Sequence, residues 1–415
     1  MEILLIGILL LAGLAFGTLG SHYFGVPRVV GYILIGMLFS PDLLGDHLAL
    51  DTARWTQPLV AIALGIVAYL IGGAATVGQL RRLGVSILTA TVGKVAGAFV
   101  LVFAGFVWLG VTVPDLPAWG APLVLAALAT ITAPAAIVAI IHQYRARGPL
   151  TTALLGMVAM DDALGVVIFS VVLALLAADG LVSALPLVIW EIVAAVLIGG
   201  VGGWLIERII RLLHEHELRL VALVGAIILL VGLAEAWHFS ALLAAMTLGF
   251  SARFFGGTHA DRLFEPVEQL EEMVFVLFFT FAGLYFDPSV VIEHGWLILM
   301  FFVLRAAGQV VGAWAGARLG RASPVIANNV GLGMLPQGGV AVGMALMLEG
   351  QPRFAEVATL AINIITASTL LTESVGALAV RYGLGRAGEL DMANGGRPAG
   401  QQGHRQGEGD DDEGK

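Results

Sequence analysis

Thirteen apolar runs alternate with short polar joints along this chain, and the joints carry most of its charge. The runs lie at about 2–20, 27–41, 57–77, 84–110, 121–143, 150–178, 182–207, 218–236, 238–254, 270–286, 295–318, 324–348 and 354–381. Most approach the roughly 20 residues a helix needs to cross a bilayer, and the second and ninth are short. Each is predicted as a transmembrane helix. Basic residues orient them, because arginines collect on the cytoplasmic side. With the N-terminus outside, the inner joints and span ends hold Arg28, Arg81, Arg82, Arg145, Arg147, Arg208, Arg211, Arg219, Arg253, Arg262, Arg318, Arg321, Arg381 and Arg386. The outer ones hold Arg54 and Arg353 alone. An odd number of spans then places the C-terminus in the cytoplasm.

Composition agrees. The 415 residues are 59% hydrophobic and 12% charged, against about 25% charged in soluble proteins. The predicted class is an all-α polytopic protein of the cell (inner) membrane, with lipid as its first partner. Its 54 glycines suit closely packed transmembrane helices. Without cysteine there is no disulfide or thiolate chemistry. The first run follows Glu2 with no basic segment before it, so it reads as a retained span. From about 388 to 415 the chain turns polar, Gly-rich and acidic; this stretch is expected to be a disordered cytoplasmic tail and accounts for much of the net charge of −9. No P-loop motif occurs, which argues against an ATP-driven pump, and no nucleotide-binding regulatory domain or nucleic-acid contact is expected. Nothing points to an enzyme or to a bound cofactor.

Two segments match. Gly93-Lys94-Val95-Ala96-Gly97-Ala98-Phe99 lies in span 4, and Gly308-Gln309-Val310-Val311-Gly312-Ala313-Trp314 in span 11. Seven spans separate them, so two copies of the repeat would be inverted, the usual plan of secondary transporters. The expected layout is a transmembrane domain over 1–387. Repeat one covers about 1–178, a linker helix about 182–207, and repeat two about 218–381. Each copy holds a helix-breaking cluster: Thr130, Thr132 and Pro134 in span 5, and Pro336, Gln337, Gly338 and Gly339 in span 12. Proline removes a backbone donor, and irregular backbone at membrane depth survives only where it is buried or lines a cavity.

The chemistry centres on Asp161 and Asp162, in the middle of span 6. A charge at that depth costs about 2.5–3.5 kcal/mol on insertion scales, and so marks a functional site by default. Neighbouring helix residues point about 100° apart, so one carboxylate can meet a base while the other faces a cavity. Asp162, the hydroxyls of Thr130 and Thr132, and carbonyls freed at the break are the oxygen ligands a hard alkali cation prefers. Arg305 and Lys94 are the only basic residues deep in the membrane, and either can serve as counter-charge for Asp161. The midpoints of spans 4, 5, 6, 11 and 12 bring Lys94, Thr132, the Asp pair, Arg305 with Gln309, and Pro336 within about one helical turn of one plane. Interhelical hydrogen bonding is the favoured reading for Asn328, Asn329 and Asn363, and an alternative one for Gln337 of the second break. His214-Glu215-His216-Glu217 reads as a solvated turn, and Glu265, Glu268, Glu271 and Glu272 as a solvated amphipathic face.

On these residues the chain resembles the monovalent cation/proton antiporter superfamily, nearest its NapA and Kef-like sodium/hydrogen exchanger branch. VPRVVGYILIGMLFSPDLLG resembles the family's opening segment, MDDALG its Asp-Asp ion site, EPVEQLEEMVFVLFFTFAGLYFD its paired-Phe stretch, and GLGMLPQGGVAVGMAL its second broken helix. The likeness runs from about residue 8 to 385. It implies two crossing broken helices of NhaA/NapA type, a dimerisation domain and hence a homodimer, and elevator-like alternating access. It implies that Asp162 binds cation and proton in turn, while Asp161 pairs with a basic residue from span 11. The double Asp resembles the electrogenic branch, in which two protons exchange for one sodium or lithium ion. Three departures stand out. Gln309 occupies the position of the family's span-11 lysine, and Lys94 stands at its repeat mate. Thr132-Ala133-Pro134 lacks the acid some relatives place at the middle position. Gln337-Gly338-Gly339 stands where relatives often show a basic residue and a glutamate. The expected activity is Na⁺ (or Li⁺)/H⁺ exchange in pH homeostasis. The alternatives are K⁺/H⁺ exchange, a sodium-coupled solute symporter, or a cation channel on a similar fold.

Overall fold

A computed structural model describes residues 2–24, 28–40, 52–74, 84–177 and 181–390. Among them lie sixteen α-helices and no β-strand. In chain order these are α1 Glu2–Phe24, α2 Arg28–Leu38, α3 Thr52–Ala74, α4 Gly84–Trp108, α5 Gly120–Leu128, α6 Pro134–Gln143, α7 Pro149–Ala177 and α8 Leu181–Leu212. They continue with α9 His216–Trp237, α10 Ala241–Gly256, α11 Asp261–Glu268, α12 Glu271–Leu284, α13 Pro288–Leu319, α14 Pro324–Gly333, α15 Gly339–Glu349 and α16 Ala355–Arg386. By length and composition, eight of them can cross a membrane, and α2, α10 and α15 are shorter apolar helices. Arg81 and Arg82, the Pro27 and Pro41 of the opening motif, and residues 391–415 of the expected tail lie outside the described residues.

The fifth and twelfth runs are each two half-helices. Ala133 is extended (φ −87°, ψ 107°), as the residue before a proline is pushed to be, and Pro134 then opens α6 in the first turn, where its missing N–H costs nothing. In the second break α14 stops at Gly333, and Gly338 is extended (φ −133°, ψ −161°) before α15 begins. The two breaks touch: the Ala133 amide donates to the Pro336 carbonyl at 2.9 Å.

Close approaches between helices occur in matched pairs. α4 and α13 lie backbone to backbone, so that a Cβ on Gly93 would strike the Gly312 carbonyl and one on Gly97 the Gly308 carbonyl, with the reverse contacts equally tight. On α2 and α12, Gly36 abuts the Thr280 carbonyl and Gly283 that of Ile33; on α3 and α10, Gly249 abuts Tyr69 and Gly72 abuts Met246. Gly36 and Gly249 are 213 residues apart, as are Ile33 and Met246; Gly72 and Gly283 are 211 apart, as are Tyr69 and Thr280. Gly93 and Gly308 are 215 apart. The same contact is thus built twice from residues at nearly one spacing.

Ahead of α12, the acidic run forms the short helix α11, which buries Leu263, Phe264 and Val267 and leaves Glu265 and Glu268 exposed. At the other end, residues 388–390 of the expected tail are held in place. The Glu389 carboxylate accepts from the Leu150 and Thr151 amides and the Thr151 hydroxyl, all at 2.7 Å, and so caps the N-terminus of α7.

Candidate functional site

α7 carries the two aspartates in mid-helix, and its rotation gives them different surroundings. Asp161 is 1% exposed and Asp162 5%. Lys94, fully buried on α4, places its Nζ 2.7 Å from both carboxylate oxygens of Asp161. The same ammonium donates to the Thr130 carbonyl and, at 2.6 Å, to the Thr132 hydroxyl. Its three protons are therefore spent on Asp161 and on the first break. The base opposite Asp161 comes from span 4 and not from span 11, in contrast to what the family resemblance implies.

Arg305, also fully buried, does something else. Its guanidinium donates to carbonyls of both breaks: Ala129 at 3.2 Å, Ile131 at 2.8 Å, Leu335 at 2.8 Å and Pro336 at 3.4 Å. Half-helix C-termini bear partial negative charge and unsatisfied carbonyls, and a planar five-donor group can serve two of them at once. Gln309 assists: with its amide turned to satisfy both ends, its oxygen accepts from Arg305 Nη2 at 3.1 Å and its nitrogen donates to the Met334 carbonyl at 3.0 Å. Gln337 bridges the breaks from the second of them, donating to the Leu128 carbonyl at 3.2 Å and accepting from Ser368 at 3.3 Å. Thr132 completes the clamp by donating to the Met334 carbonyl at 3.2 Å.

Asp162 stands apart from this network. Its Oδ1 is buried and has no hydrogen-bond partner. A buried carboxylate oxygen without a partner is costly, and so marks a position that a ligand can fill. Nearby, Gly165, one turn further on α7, leaves room for Thr130, whose Oγ1 would stand 3.3 Å from a Cβ there. The Thr130 hydroxyl donates to the Ala127 carbonyl at 2.7 Å, which leaves its oxygen lone pairs free to face a cation. Thr132, also expected as a ligand, has its oxygen occupied by Lys94. Among the described residues no group of three or more His, Cys, Asp or Glu is placed to hold a metal ion.

Two of the asparagines make local packing bonds. Asn363 accepts from the Asp287 amide at 2.8 Å and donates to the Thr359 carbonyl, fastening α16 to the end of α12. Asn329 donates within its own helix to the Val325 carbonyl. Sequence reasoning passed over Thr366, Ser368, Thr369 and Glu373 of α16, although polar residues recurring at helical spacing inside a span, TASTLLTES, were the available signal.

Comparison with known proteins gives the following. The family model described as "Sodium/hydrogen exchanger, transmembrane" matches residues 6–380. The K(+)/H(+) antiporter subunit KhtU of Bacillus subtilis is 24% identical over 241 residues, which is 55% of this chain and 59% of that protein. The match thus spans about three-fifths of that curated relative's length. Among solved structures, the sodium proton antiporter MjNhaP1 from Methanocaldococcus jannaschii at pH 8 superposes with a TM-score of 0.71 at 18% identity, over 94% of this chain and 99% of that one. An electron-microscopy structure of the same antiporter gives 0.65, also at 18% identity, over 93% and 97%. At this identity the likeness establishes the fold.

Proposed function

This chain belongs to the sodium/hydrogen exchanger family, and on that premise we propose that it is a secondary active antiporter exchanging Na⁺ or Li⁺ for protons. The observation that carries the reading is the unpartnered Asp162 oxygen beside a neutralised Asp161–Lys94 pair, at the crossing of two broken helices. Lys94 pairs with Asp161 and Arg305 is bonded to carbonyls of both breaks, so the charge of Asp162 is the one carboxylate charge of the group with no base bonded to it. A cation or a proton can each cancel it, and the two therefore compete. The breaks, clamped together by Arg305, Gln337 and Thr132, move as a unit and present Asp162 to either side of the membrane in turn.

The same pairing bears on stoichiometry. Asp162 alone accounts for one proton per cation. A second proton requires the Lys94–Asp161 pair to open, so electrogenic exchange would report on that pair.

In this reading the protein crosses the inner membrane thirteen times, with its N-terminus outside and its C-terminus in the cytoplasm, and works as a homodimer. The matched glycine contacts at spacings of 211 to 215 residues support an inverted repeat, with α8 as the linker. A second reading, K⁺/H⁺ exchange, is favoured by the name of the Bacillus relative, a K(+)/H(+) antiporter subunit. Antiport in proteoliposomes with Na⁺, Li⁺ or K⁺, with and without an imposed membrane potential, tests both. Flux that is not coupled to protons would contradict the proposal.

A further inference from the structure

A second line of oxygen atoms runs along α16. Thr366, Thr369 and Glu373 stand at i, i+3 and i+7, so on an α-helix they share one face and span about 10 Å of its length. Thr366 and Thr369 are both 0% exposed, and neither hydroxyl oxygen has a hydrogen-bond partner. Glu373 makes no hydrogen bond or ion pair among the described residues and is half-buried, in a helix long and apolar enough to cross the membrane. A carboxylate at that depth with no counter-charge is expensive and marks a site by default.

Its position strengthens the case. Glu373 Oε1 lies 4.0 Å from where a Cβ on Gly338 would stand, and that same point is 2.8 Å from Ala133 Cβ. Glu373 therefore reaches the crossing of the two breaks from α16. Ala133 follows Thr132, which Lys94 holds, so the two carboxylate systems approach the crossing from different helices. Gly338 has no side chain with which to cap α15, so the N-terminus of that half-helix lies open beside the Glu373 carboxylate. Glu373 is half-buried and the two threonines are fully buried, so the face runs inward from the carboxylate to the hydroxyls.

A carboxylate on one helix face with two unsatisfied hydroxyl oxygens offers the oxygen donors a hard cation prefers. We propose that Thr366, Thr369 and Glu373 form a second binding site for a monovalent cation, beside the crossing and separate from Asp162. The proposal deepens the antiport reading and rests on it for the choice of cation.

The test compares wild type with Glu373→Gln and Thr369→Val, using the purified full chain. Two quantities are read: the KM for Na⁺, Li⁺ and K⁺ in proteoliposomes, and the rise in thermal unfolding temperature on adding each cation. Loss of the ionic ligand in Glu373→Gln is expected to raise the KM about tenfold, and loss of one hydroxyl ligand in Thr369→Val about fivefold. Glu373→Asp should recover much of the wild-type KM. If Glu373→Gln fails to fold, Thr369→Val carries the test. A Glu373→Gln protein with wild-type KM and wild-type cation stabilisation would overturn the proposal, even if its basal melting temperature fell, because that is what a purely structural cap would do. Failure of the antiport reading looks different: wild type would exchange no cation for protons. The cation-induced thermal shift, measured in transport-silent Asp162→Asn and in Asp162→Asn/Glu373→Gln, would still score the second site, which predicts a shift in the first protein and none in the second.

Discussion

Removing the Lys94 ammonium tests which base completes the aspartate pair. With Nζ 2.7 Å from both Asp161 oxygens and both side chains at most 1% exposed, Coulomb attraction at an effective dielectric of about 20 is about 6 kcal/mol before desolvation is set against it. Breaking a buried pair by deleting one partner costs about 3–5 kcal/mol, while replacing both with apolar groups is often close to neutral. Lys94→Met also strips a donor from the Thr130 carbonyl and the Thr132 hydroxyl, at roughly 1–3 kcal/mol for each acceptor left bare. Lys94→Met is therefore expected to destabilise more than Asp161→Leu, and the double variant to be more stable than the sum of the singles implies. The assay is reversible unfolding in lipid bicelles of all four proteins. The expected coupling energy is about 3–5 kcal/mol, against about 0–1 for a solvated pair. The same cycle with Arg305→Met and Asp161→Leu should give a far smaller value, because Arg305 is bonded to carbonyls of both breaks. A Lys94–Asp161 coupling below about 1 kcal/mol, or an Arg305–Asp161 coupling that exceeds it, would refute the assignment.

Other consequences follow from the packing. Gly312→Leu has no room, since even a Cβ there strikes the Gly93 carbonyl; it should separate α4 from α13 and leave little folded protein by size-exclusion chromatography, whereas Gly232→Leu, with nothing within 4 Å of its Cβ, should behave as wild type. Glu389→Ala removes the cap on α7 and should lower stability by about 0.5–2 kcal/mol, read as a fall in unfolding midpoint and faster amide exchange at 150–152. Gln337→Leu leaves the Leu128 carbonyl and the Ser368 hydroxyl short of a partner and should cost about 1–3 kcal/mol in the same unfolding assay.

Much of this centre was legible in the chain because depth and backbone chemistry are written locally. Ala133-Pro134 and Pro336 through Gly339 state where the helices must break, and the spacing from flanking arginines places Asp161, Lys94 and Arg305 on one plane. Azimuth is not written that way. Lys94 and Arg305 sit at the same depth, and only the rotation set by the Gly93–Gly312 and Gly97–Gly308 contacts turns one toward Asp161 and the other toward the carbonyls. For the same reason Thr132 could be placed beside the aspartates but not foreseen as a bridge from Lys94 to Met334. The anchoring of Glu389 was hidden by composition, because an acidic residue in a Gly-rich stretch looks like tail until the free amides of Leu150 and Thr151 are seen beside it.

The central claim is that Asp162 is where cation and proton compete. Asp162→Asn keeps the size of the side chain and removes its charge, while leaving the Lys94–Asp161 bond in place. The decisive measurement is sodium-dependent proton efflux from proteoliposomes containing equal amounts of folded wild type or Asp162→Asn. The account predicts exchange by the wild type and none above protein-free vesicles for the variant; exchange by Asp162→Asn at the wild-type rate would contradict it.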